Sequence, residues 1–358
     1  MPPESYLALK AFIQLICAIT AVILNSLLII LIITKSPSKM GTYRYLMSFF
    51  CIISIVFAVL DIVLEPIIHS KGSAFLMVMD LRNRNLSPVL AEFLIDILCG
   101  CLGCTVNGIV VHFIYRFFAL ERQGRLRYFQ WPYLLLWLLF PLFGLLQWTS
   151  FCWFLFSVNP TSSAYLKPII LQEFNIPIEH TVYAAAIFWF PDSILPPEPT
   201  PETSPRIHKG MRFNWNAAGG LINIVIAMSI AMSVITVYGG KSWMKIKELV
   251  KQGESKYTKN LQMQLYKALV AQTIIPVLLL FVPFGILFLG PLFLIDCSFL
   301  AVPLTFIYAI YPALDSLPTL LFVDSYRNTV GDFCCKTNRI SDATTSRDQV
   351  FTRHAYAA

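Results

Sequence analysis

The sequence predicts an all-α membrane protein, a bundle of seven transmembrane helices, and three observations lead to that fold class. Of the 358 residues, 57% are apolar and 14% are aromatic, which leaves too little polar surface for a soluble chain. Seven apolar runs are each long enough to cross a bilayer core of about 30 Å as a helix. Lysine and arginine alternate in density between successive runs.

The apolar runs divide the chain into a transmembrane domain, residues 1–323, and a tail, residues 324–358. The first run is too long for a signal peptide and follows no basic segment, so we expect it to be a retained span. The apolar stretch at 181–190 is only ten residues long and cannot span. The predicted spans are 11–34, 45–64, 93–119, 133–156, 217–238, 268–290 and 297–323.

The basic residues predict the orientation of the bundle. The first, third and fifth loops carry 13 lysines and arginines in 53 residues, whereas the second, fourth and sixth carry 7 in 92. By the positive-inside rule, the odd loops are cytoplasmic. The N-terminus is therefore predicted outside and the tail in the cytoplasm. The fourth loop contains six prolines between 190 and 205, which favours an extended outer flap.

Composition and motifs argue against several other functions. The net charge of +7 comes from short segments between spans, so no basic domain indicates nucleic acid. Cys99, Cys101 and Cys104 are poorly arranged for zinc, because a helix turns them to different sides and no histidine neighbours them. Gly100 and Gly108, with Cys104, form instead a stripe of small residues that permits close helix packing. No enzyme motif is present, and no cofactor is implied.

Arg116 is the charged residue that most invites a functional interpretation. It follows Tyr115 at the predicted cytoplasmic end of the third span. One interpretation is an interfacial anchor, since aromatic residues and arginines are common at span ends. The other is a switch, in which the guanidinium is held in one conformation and released in another to meet a cytoplasmic partner.

Polar residues inside the spans are costly and therefore candidates for function. Asn25, Asp61 and Asp315 are three such residues, in the first, second and seventh spans. Asp315 lies between Pro312 and Pro318, which free backbone carbonyls and bend a helix. The alternative role is a satisfied internal hydrogen bond.

The fifth loop begins with a basic amphipathic extension of the fifth span, at 241–252. It suits either anionic lipid of the inner leaflet or a heterotrimeric G protein. In the sixth span, Pro276 and Pro283 are candidate kinks about which its inner end swings. The lysines of the amphipathic extension are Lys241, Lys245, Lys247 and Lys251.

The remaining candidates lie near the membrane surfaces. Glu92 and Asp96 share one helix face at the predicted outer end of the third span, where they either line a ligand vestibule or are simply solvated. Asn85 begins a glycosylation motif in the second loop. Cys334 and Cys335 follow the last span and are candidates for palmitoylation, although unmodified thiols are the alternative.

Three segments resemble one family. HFIYRFFAL at 112–120 resembles the third-span end of the nematode seven-transmembrane chemoreceptors of the Str class. The segments at 25–47 and 311–327 resemble that family's first span with its loop and its seventh-span end. The resemblance thus covers both ends of the bundle and its centre, and it implies that the proline-rich part of the seventh span is a conformational hinge.

The resemblance implies a G-protein-coupled chemosensory receptor, acting in olfaction at the plasma membrane of sensory cilia. We expect a small odorant to enter from the outer side among spans 3, 5, 6 and 7, and Arg116 and the loop lysines to meet a heterotrimeric G protein. The main alternative is a seven-span ligand-gated cation channel, but such odorant receptors place the N-terminus inside. A transporter is a third possibility, although no internal repeat is found.

Overall fold

The computed structural model describes residues 3–37, 40–82, 84–121, 124–194, 210–251 and 256–332. Seven of its helical segments are long and apolar enough to cross a membrane, which confirms the predicted bundle. In chain order the elements are α1 (Pro3–Lys35), α2 (Tyr43–Leu64), β1 (Ile67–Lys71), β2 (Ala74–Asp80), α3 (Pro88–Glu121), α4 (Tyr133–Leu155), α5 (Pro160–Phe174), β3 (Thr181–Ile187), β4 (Trp189–Pro191), β5 (Met211–Phe213), α6 (Trp215–Lys251), α7 (Lys256–Pro276), α8 (Val282–Leu292) and α9 (Ala301–Phe322).

Spans 1, 2, 3, 5 and 6 are longer than their apolar runs, because the helices continue into polar sequence at their ends, whereas the helices of spans 4 and 7 are slightly shorter than predicted. Spans 1 to 5 are α1, α2, α3, α4 and α6, and span 7 is α9. The sixth span consists of α7, a π-helical turn at Val277–Phe281, and α8. The predicted amphipathic extension of the fifth span is helical, since α6 runs to Lys251.

A three-stranded antiparallel sheet covers one end of the bundle, and the sequence analysis did not predict it. Its strand order is β1-β2-β3, so a hairpin from the second loop pairs with a strand from the fourth. The stretch at 181–190 forms β3 and the start of the short β4–β5 hairpin. Residues 195–209, which include most of the proline-rich segment, lie outside the described residues.

The sheet is buried on both faces. On the inner face, Phe75 and Met77 pack into the main core of the bundle. On the outer face, Leu76 and Val78 pack against α5 through Leu166 and its neighbours. We call β1, β2, β3 and α5 the roof, and the end of the bundle that it covers the sheet end. The opposite end is the Arg116 end.

Helix α3 is the central element, and it is buried along most of its length. Its small residues allow close packing on two neighbours. A Cβ atom on Gly103 would lie 2.6 Å from the Gly144 carbonyl oxygen of α4, so the two backbones are nearly in contact. Gly100 also faces α4, whereas Gly108 faces Phe50 of α2. The predicted stripe therefore serves two helices.

Candidate functional site

Arg116 lies near the end of α3 and is only 3% exposed. Its Nη1 atom donates a 2.9 Å hydrogen bond to Gln262 Oε1 of α7. Its guanidinium carbon lies 4.1 Å from the centre of the Tyr43 ring of α2. Nε and Nη2 make no hydrogen bond within the described part of the chain. Within the described residues, the buried guanidinium of Arg116 is therefore stabilised by one hydrogen bond to the Gln262 amide and by the face of the Tyr43 ring.

Aromatic residues surround this arginine. The Tyr115 ring stacks on Tyr43 at 4.9 Å, and its hydroxyl donates to the Met40 carbonyl at 3.2 Å. The Tyr43 hydroxyl lies 3.0 Å from His112 Nδ1. Tyr43 thus contacts both Tyr115 and Arg116, and it connects α2 to α3 at the Arg116 end.

A second glutamine fixes the same end of α7. The Gln264 side-chain amide donates to the Asp324 carboxylate, and its carbonyl accepts the Asp324 backbone N–H at 3.2 Å. Asp324 begins a helical segment at 324–332 that follows α9. We call Gln262 and Gln264 the glutamine clamp, because together they bind α7 to α3 and to the segment after α9.

The segment after α9 is also bound to the first loop. The Tyr326 and Ser36 hydroxyls lie 2.7 Å apart. Burial raises the pKa of Tyr326 to about 12, so its hydroxyl stays protonated at neutral pH. The Arg116 end is therefore a closed arrangement in which α3, α7 and the start of the tail are interlocked. Cys334 and Cys335 lie outside the described residues.

Of the predicted lysines of α6, Lys241 and Lys247 are exposed and Lys245 is half-buried, all near the Arg116 end. Lys241 lies over the rings of Phe117 and Tyr238 at 5.8 and 5.7 Å. Lys245 forms a 2.7 Å ion pair with Glu248. Two further positions complete the set: Lys247 lies 5.1 Å from the Trp243 ring, and Lys251 has no described side-chain position.

The polar residues of spans 1 and 7 meet in the bundle interior. Asn25 Nδ2 donates a 2.9 Å hydrogen bond to the backbone carbonyl of Pro312, one of the two prolines inside α9. Ser54 donates to the Asp315 carboxylate at 3.4 Å, and Gln272 donates to the Asp315 backbone carbonyl at 2.8 Å. Span 7 is thus linked to spans 1, 2 and 6 around its two prolines.

The prolines predicted as kinks or hinges lie in different helical surroundings. Pro276 ends α7, and the π-helical turn Val277–Phe281 follows at once. Pro283 lies in the first turn of α8, where a proline is tolerated. Both Pro312 and Pro318 lie inside α9. A change of helical repeat beside a proline is the kind of irregularity at which helices bend, so a kink next to Pro276 stays a prediction.

Asp61 has partners that the sequence analysis did not identify. It is 1% exposed, and Gln14 of α1 donates to its Oδ2 atom at 3.3 Å. Lys10 is also buried, at 2% exposure, and its ammonium donates to the backbone carbonyl of Glu65 just beyond α2. These contacts fix the turn that leads from α2 into the sheet.

Glu92 and Asp96 lie in different surroundings. Glu92 Oε1 accepts the Val158 backbone N–H at 2.8 Å, which fixes the link between α4 and α5. Asp96 is 1% exposed, and neither of its carboxylate oxygens has a hydrogen-bond partner among the described residues. A vestibule at these residues remains a prediction. Asn85 is exposed between β2 and α3.

Two adjoining cavities lie deeper, between spans 3, 4, 5 and 6. One has a volume of about 270 Å³ and the other, directly beneath the sheet, about 70 Å³. We call them together the chamber, because they share five lining residues. Those residues are Leu102, Trp148, Ile224, Phe284 and Phe288. The sequence predicted a ligand among spans 3, 5, 6 and 7. None of the described residues of α9, which is span 7, lines the chamber, whereas Trp148 and Cys152 of span 4 do.

The chamber is lined almost entirely by apolar and aromatic side chains. Ser229 carries the one hydroxyl of the described lining, and the sulfur atoms come from Met77, Met228, Cys99 and Cys152. Such a lining favours small apolar molecules over charged or strongly hydrogen-bonding ones. Its two cavities, of about 270 and 70 Å³, together lie near the lower end of the usual range for ligand pockets, which also favours small molecules.

Hydrogen bonds hold the roof in place above the chamber. Ser70 donates to the Leu287 carbonyl at 3.4 Å, and the Ile68 backbone N–H donates to Thr305 at 3.3 Å. Between the two layers of the roof, the Tyr183 hydroxyl lies 2.8 Å from the Ser162 hydroxyl. Burial raises the pKa of Tyr183, so this hydroxyl is protonated at neutral pH.

Arg116 and the prolines stand out in the sequence, whereas the residues that surround them in the structure do not. Gln262, Gln264 and Tyr43 carry no local pattern that distinguishes them from other polar and aromatic residues near span ends. The chamber residues were missed for a similar reason, because apolar side chains facing a cavity and those facing lipid look alike in sequence.

Seven helices long and apolar enough to cross a membrane, with an apolar chamber near one end and a buried arginine at the other, have the architecture of a multi-pass membrane protein. Residues 10–331 match the family described as the serpentine type 7TM GPCR chemoreceptor Str. The match covers most of the chain, and the protein therefore belongs to this family of nematode receptors. The family is one of receptors rather than enzymes.

Individual relatives agree with this membership. The chain is 30% identical to serpentine receptor class r-10 of Caenorhabditis briggsae, over 88% of this chain and 89% of the relative. The protein of the same name from Caenorhabditis elegans is also 30% identical, with the same coverage. G-protein coupled receptor str-217 of Caenorhabditis elegans is 29% identical, over 89% of this chain and 88% of that protein.

Proposed function

We propose that the protein is a chemosensory receptor that binds a small apolar odorant in the chamber and signals to a heterotrimeric G protein at the Arg116 end. The observation that carries the proposal is the chamber: it is apolar, of small-molecule size, and closed to the sheet end by the roof. Family membership supports a receptor, and the chamber supports the class of ligand.

The Arg116 end suits a partner that supplies hydrogen-bond acceptors to the buried guanidinium. Two guanidinium nitrogens make no hydrogen bond there within the described chain, which raises the free energy of the closed arrangement. A partner with backbone or carboxylate acceptors would stabilise the same group once α7 moved away. The exposed lysines of α6, such as Lys241 and Lys247, border this end and add attraction for an acidic surface or for anionic lipid.

The proposal includes an orientation. The sheet end faces the outside and the Arg116 end faces the cytoplasm, as the lysines and arginines of the odd loops predict. In this arrangement the exposed Asn85 lies on the outer side. Location in sensory cilia follows from the proposed olfactory role. A tag at the N-terminus should bind antibody in unpermeabilised cells, and a hidden tag would contradict the orientation.

The ligand side of the proposal is tested with cells that express the receptor and report calcium or cyclic nucleotide. Small apolar odorants should give responses and charged analogues should not. Ile224→Trp, which places an indole in the chamber, should abolish the response. Ile222→Trp is the matched control, because Ile222 is 56% exposed on the same helix. Equal responses from both variants would reject the chamber as the binding site.

The signalling side is tested with Arg116→Ala. This variant should reach the cell surface at nearly native levels but signal weakly, since it loses the group proposed to meet the G protein. Arg44→Ala, which changes an exposed arginine in the first turn of α2, is the control. Full signalling by Arg116→Ala would remove Arg116 from its proposed role without affecting the chamber.

A further inference from the structure

The chamber has a gap in its wall between α6 and α8. Val225 of α6 and Leu289 of α8 both line it, yet they are 50% and 43% exposed. In a bundle surrounded by lipid, exposed apolar side chains at membrane depth face hydrocarbon. The gap between these two residues therefore connects the chamber with the lipid rather than with water.

Small residues keep this gap open. Gly285 lies in α8 between Phe284 and the exposed Ile286, and a Cβ atom added to it would meet nothing within 4 Å. From the other wall, Ser229 of α6 faces the same cavity and is exposed. We call Val225, Ser229, Gly285 and Leu289 the mouth. A larger side chain at position 285 or 229 would extend into open space there.

The sheet end offers no comparable opening among the described residues. The sheet lies directly over the smaller cavity through Phe75, Met77 and Ala184. A second layer, α5, covers the outer face of that sheet. A molecule arriving from water on this side would have to separate a paired sheet and its helix, including the hydrogen bonds of Ser70 and Ile68 to the helices below.

We propose that the ligand reaches the chamber sideways from the membrane, through the mouth between α6 and α8. The inference rests on the proposed function and narrows its ligand class to apolar molecules that partition into lipid. Such molecules are enriched in the bilayer relative to water, so the mouth samples a higher concentration than the roof does. The path exposes no charged group to hydrocarbon, because its lining is apolar apart from the Ser229 hydroxyl.

The test measures binding of 1-aminoanthracene, a small apolar fluorophore, to the purified receptor in lipid nanodiscs, with empty nanodiscs subtracted. Gly285→Trp should slow association and dissociation together by about tenfold, because an obstacle in a path slows passage in both directions and leaves the Kd nearly unchanged. Gly219→Trp is the matched control, since Gly219 is an exposed glycine of α6 that also has open space around it and lies outside the mouth.

A second set of variants tests the alternative route. Tyr183→Phe loosens the two layers of the roof and should leave the association rate unchanged. Faster association in Tyr183→Phe would mean that the ligand passes the roof, and it would overturn the proposal. Native rates in Gly285→Trp would overturn it as well, and so would faster dissociation, since the indole would then occupy the chamber rather than its mouth.

Further outcomes separate the entrance from the binding site. If Gly285→Trp does not fold, Ser229→Phe obstructs the mouth from the opposite wall and is judged by the same rates. Ile224→Trp should abolish probe binding and Ile222→Trp should not. If the native receptor fails to bind the probe saturably, or Ile224→Trp binds it normally, the chamber itself is rejected and the entrance with it. If the native receptor binds the probe normally and Gly285→Trp keeps the native rates, only the entrance is rejected.

Discussion

Replacing Gln262 by methionine should raise the activity of the receptor in the absence of ligand. Gln262 holds α7 against α3 through its 2.9 Å hydrogen bond from Arg116. Methionine has similar length and keeps the apolar part of the contact, but it offers no comparable acceptor. The closed arrangement is therefore destabilised, whereas an arrangement in which α7 has moved away from Arg116 is not.

The expected size follows from the burial of Arg116. A hydrogen bond to a charged group contributes about 1.5 to 3 kcal/mol. Because Arg116 is only 3% exposed, water does not replace the missing acceptor. At about 1.4 kcal/mol per factor of ten, the closed-to-open equilibrium shifts about 10- to 100-fold. If the open state begins at about 1%, it rises to between about 10% and 50%.

The assay is ligand-independent signalling in cells that carry a promiscuous Gα subunit, normalised to receptor at the surface. Gln262→Glu should act in the opposite direction, because a carboxylate would form an ion pair with the buried guanidinium. Asn260→Met changes an exposed residue of the same helix and should have no effect. The reasoning is refuted if Gln262→Met signals at the native basal level, or if Gln262→Glu raises it.

Three further predictions concern stability, read as the melting temperature of the purified receptor. Burial lowers the pKa of His69, so the folded state binds the proton less readily than the unfolded state. The melting temperature should thus be highest above about pH 6.5 and should decrease as the pH drops below that value. His69→Gln should make this decrease smaller. Gly103→Ala should cost about 1 to 3 kcal/mol by overpacking α3 on α4, whereas Gly219→Ala should be tolerated. Lys10→Met should cost about 1 to 3 kcal/mol by leaving backbone carbonyls unpaired, and Asp61→Asn added to it should restore part of the loss.

The seven spans were predictable because the bilayer fixes the length of an apolar helix, and run length survives any detail of packing. The roof was not. Its strands are buried on both faces, so they show neither the alternation of a half-exposed strand nor the length of a span. Three consecutive alanines, 184–186, occupy the middle of β3 although alanine has a low preference for strands.

The candidate site divides in the same way. Arg116 stands out because a charge inside an apolar run is rare. Its partner does not, because Gln262 is 146 positions away and looks like any other polar residue of a helix end. The same holds for the bond from Asn25 to the Pro312 carbonyl, which joins positions 287 apart. Sequence thus located the costly groups, and only the fold supplied the groups that compensate them.

Span 6 is the element that connects the two proposed sites. Phe281, the last residue of the π-helical turn, lines the chamber, as do Phe284 and Phe288 of α8. On the other side of Pro276, the same span carries the glutamine clamp. A ligand shifts the receptor only if it binds one arrangement more tightly than the other. An occupant of the chamber touches the aromatic side chains at and beyond the π-helical turn, so a preference for one geometry of that turn acts on the distance between α7 and Arg116. Gln262→Met should therefore lower the ligand concentration needed for a half-maximal response, even though residue 262 lies far from the chamber.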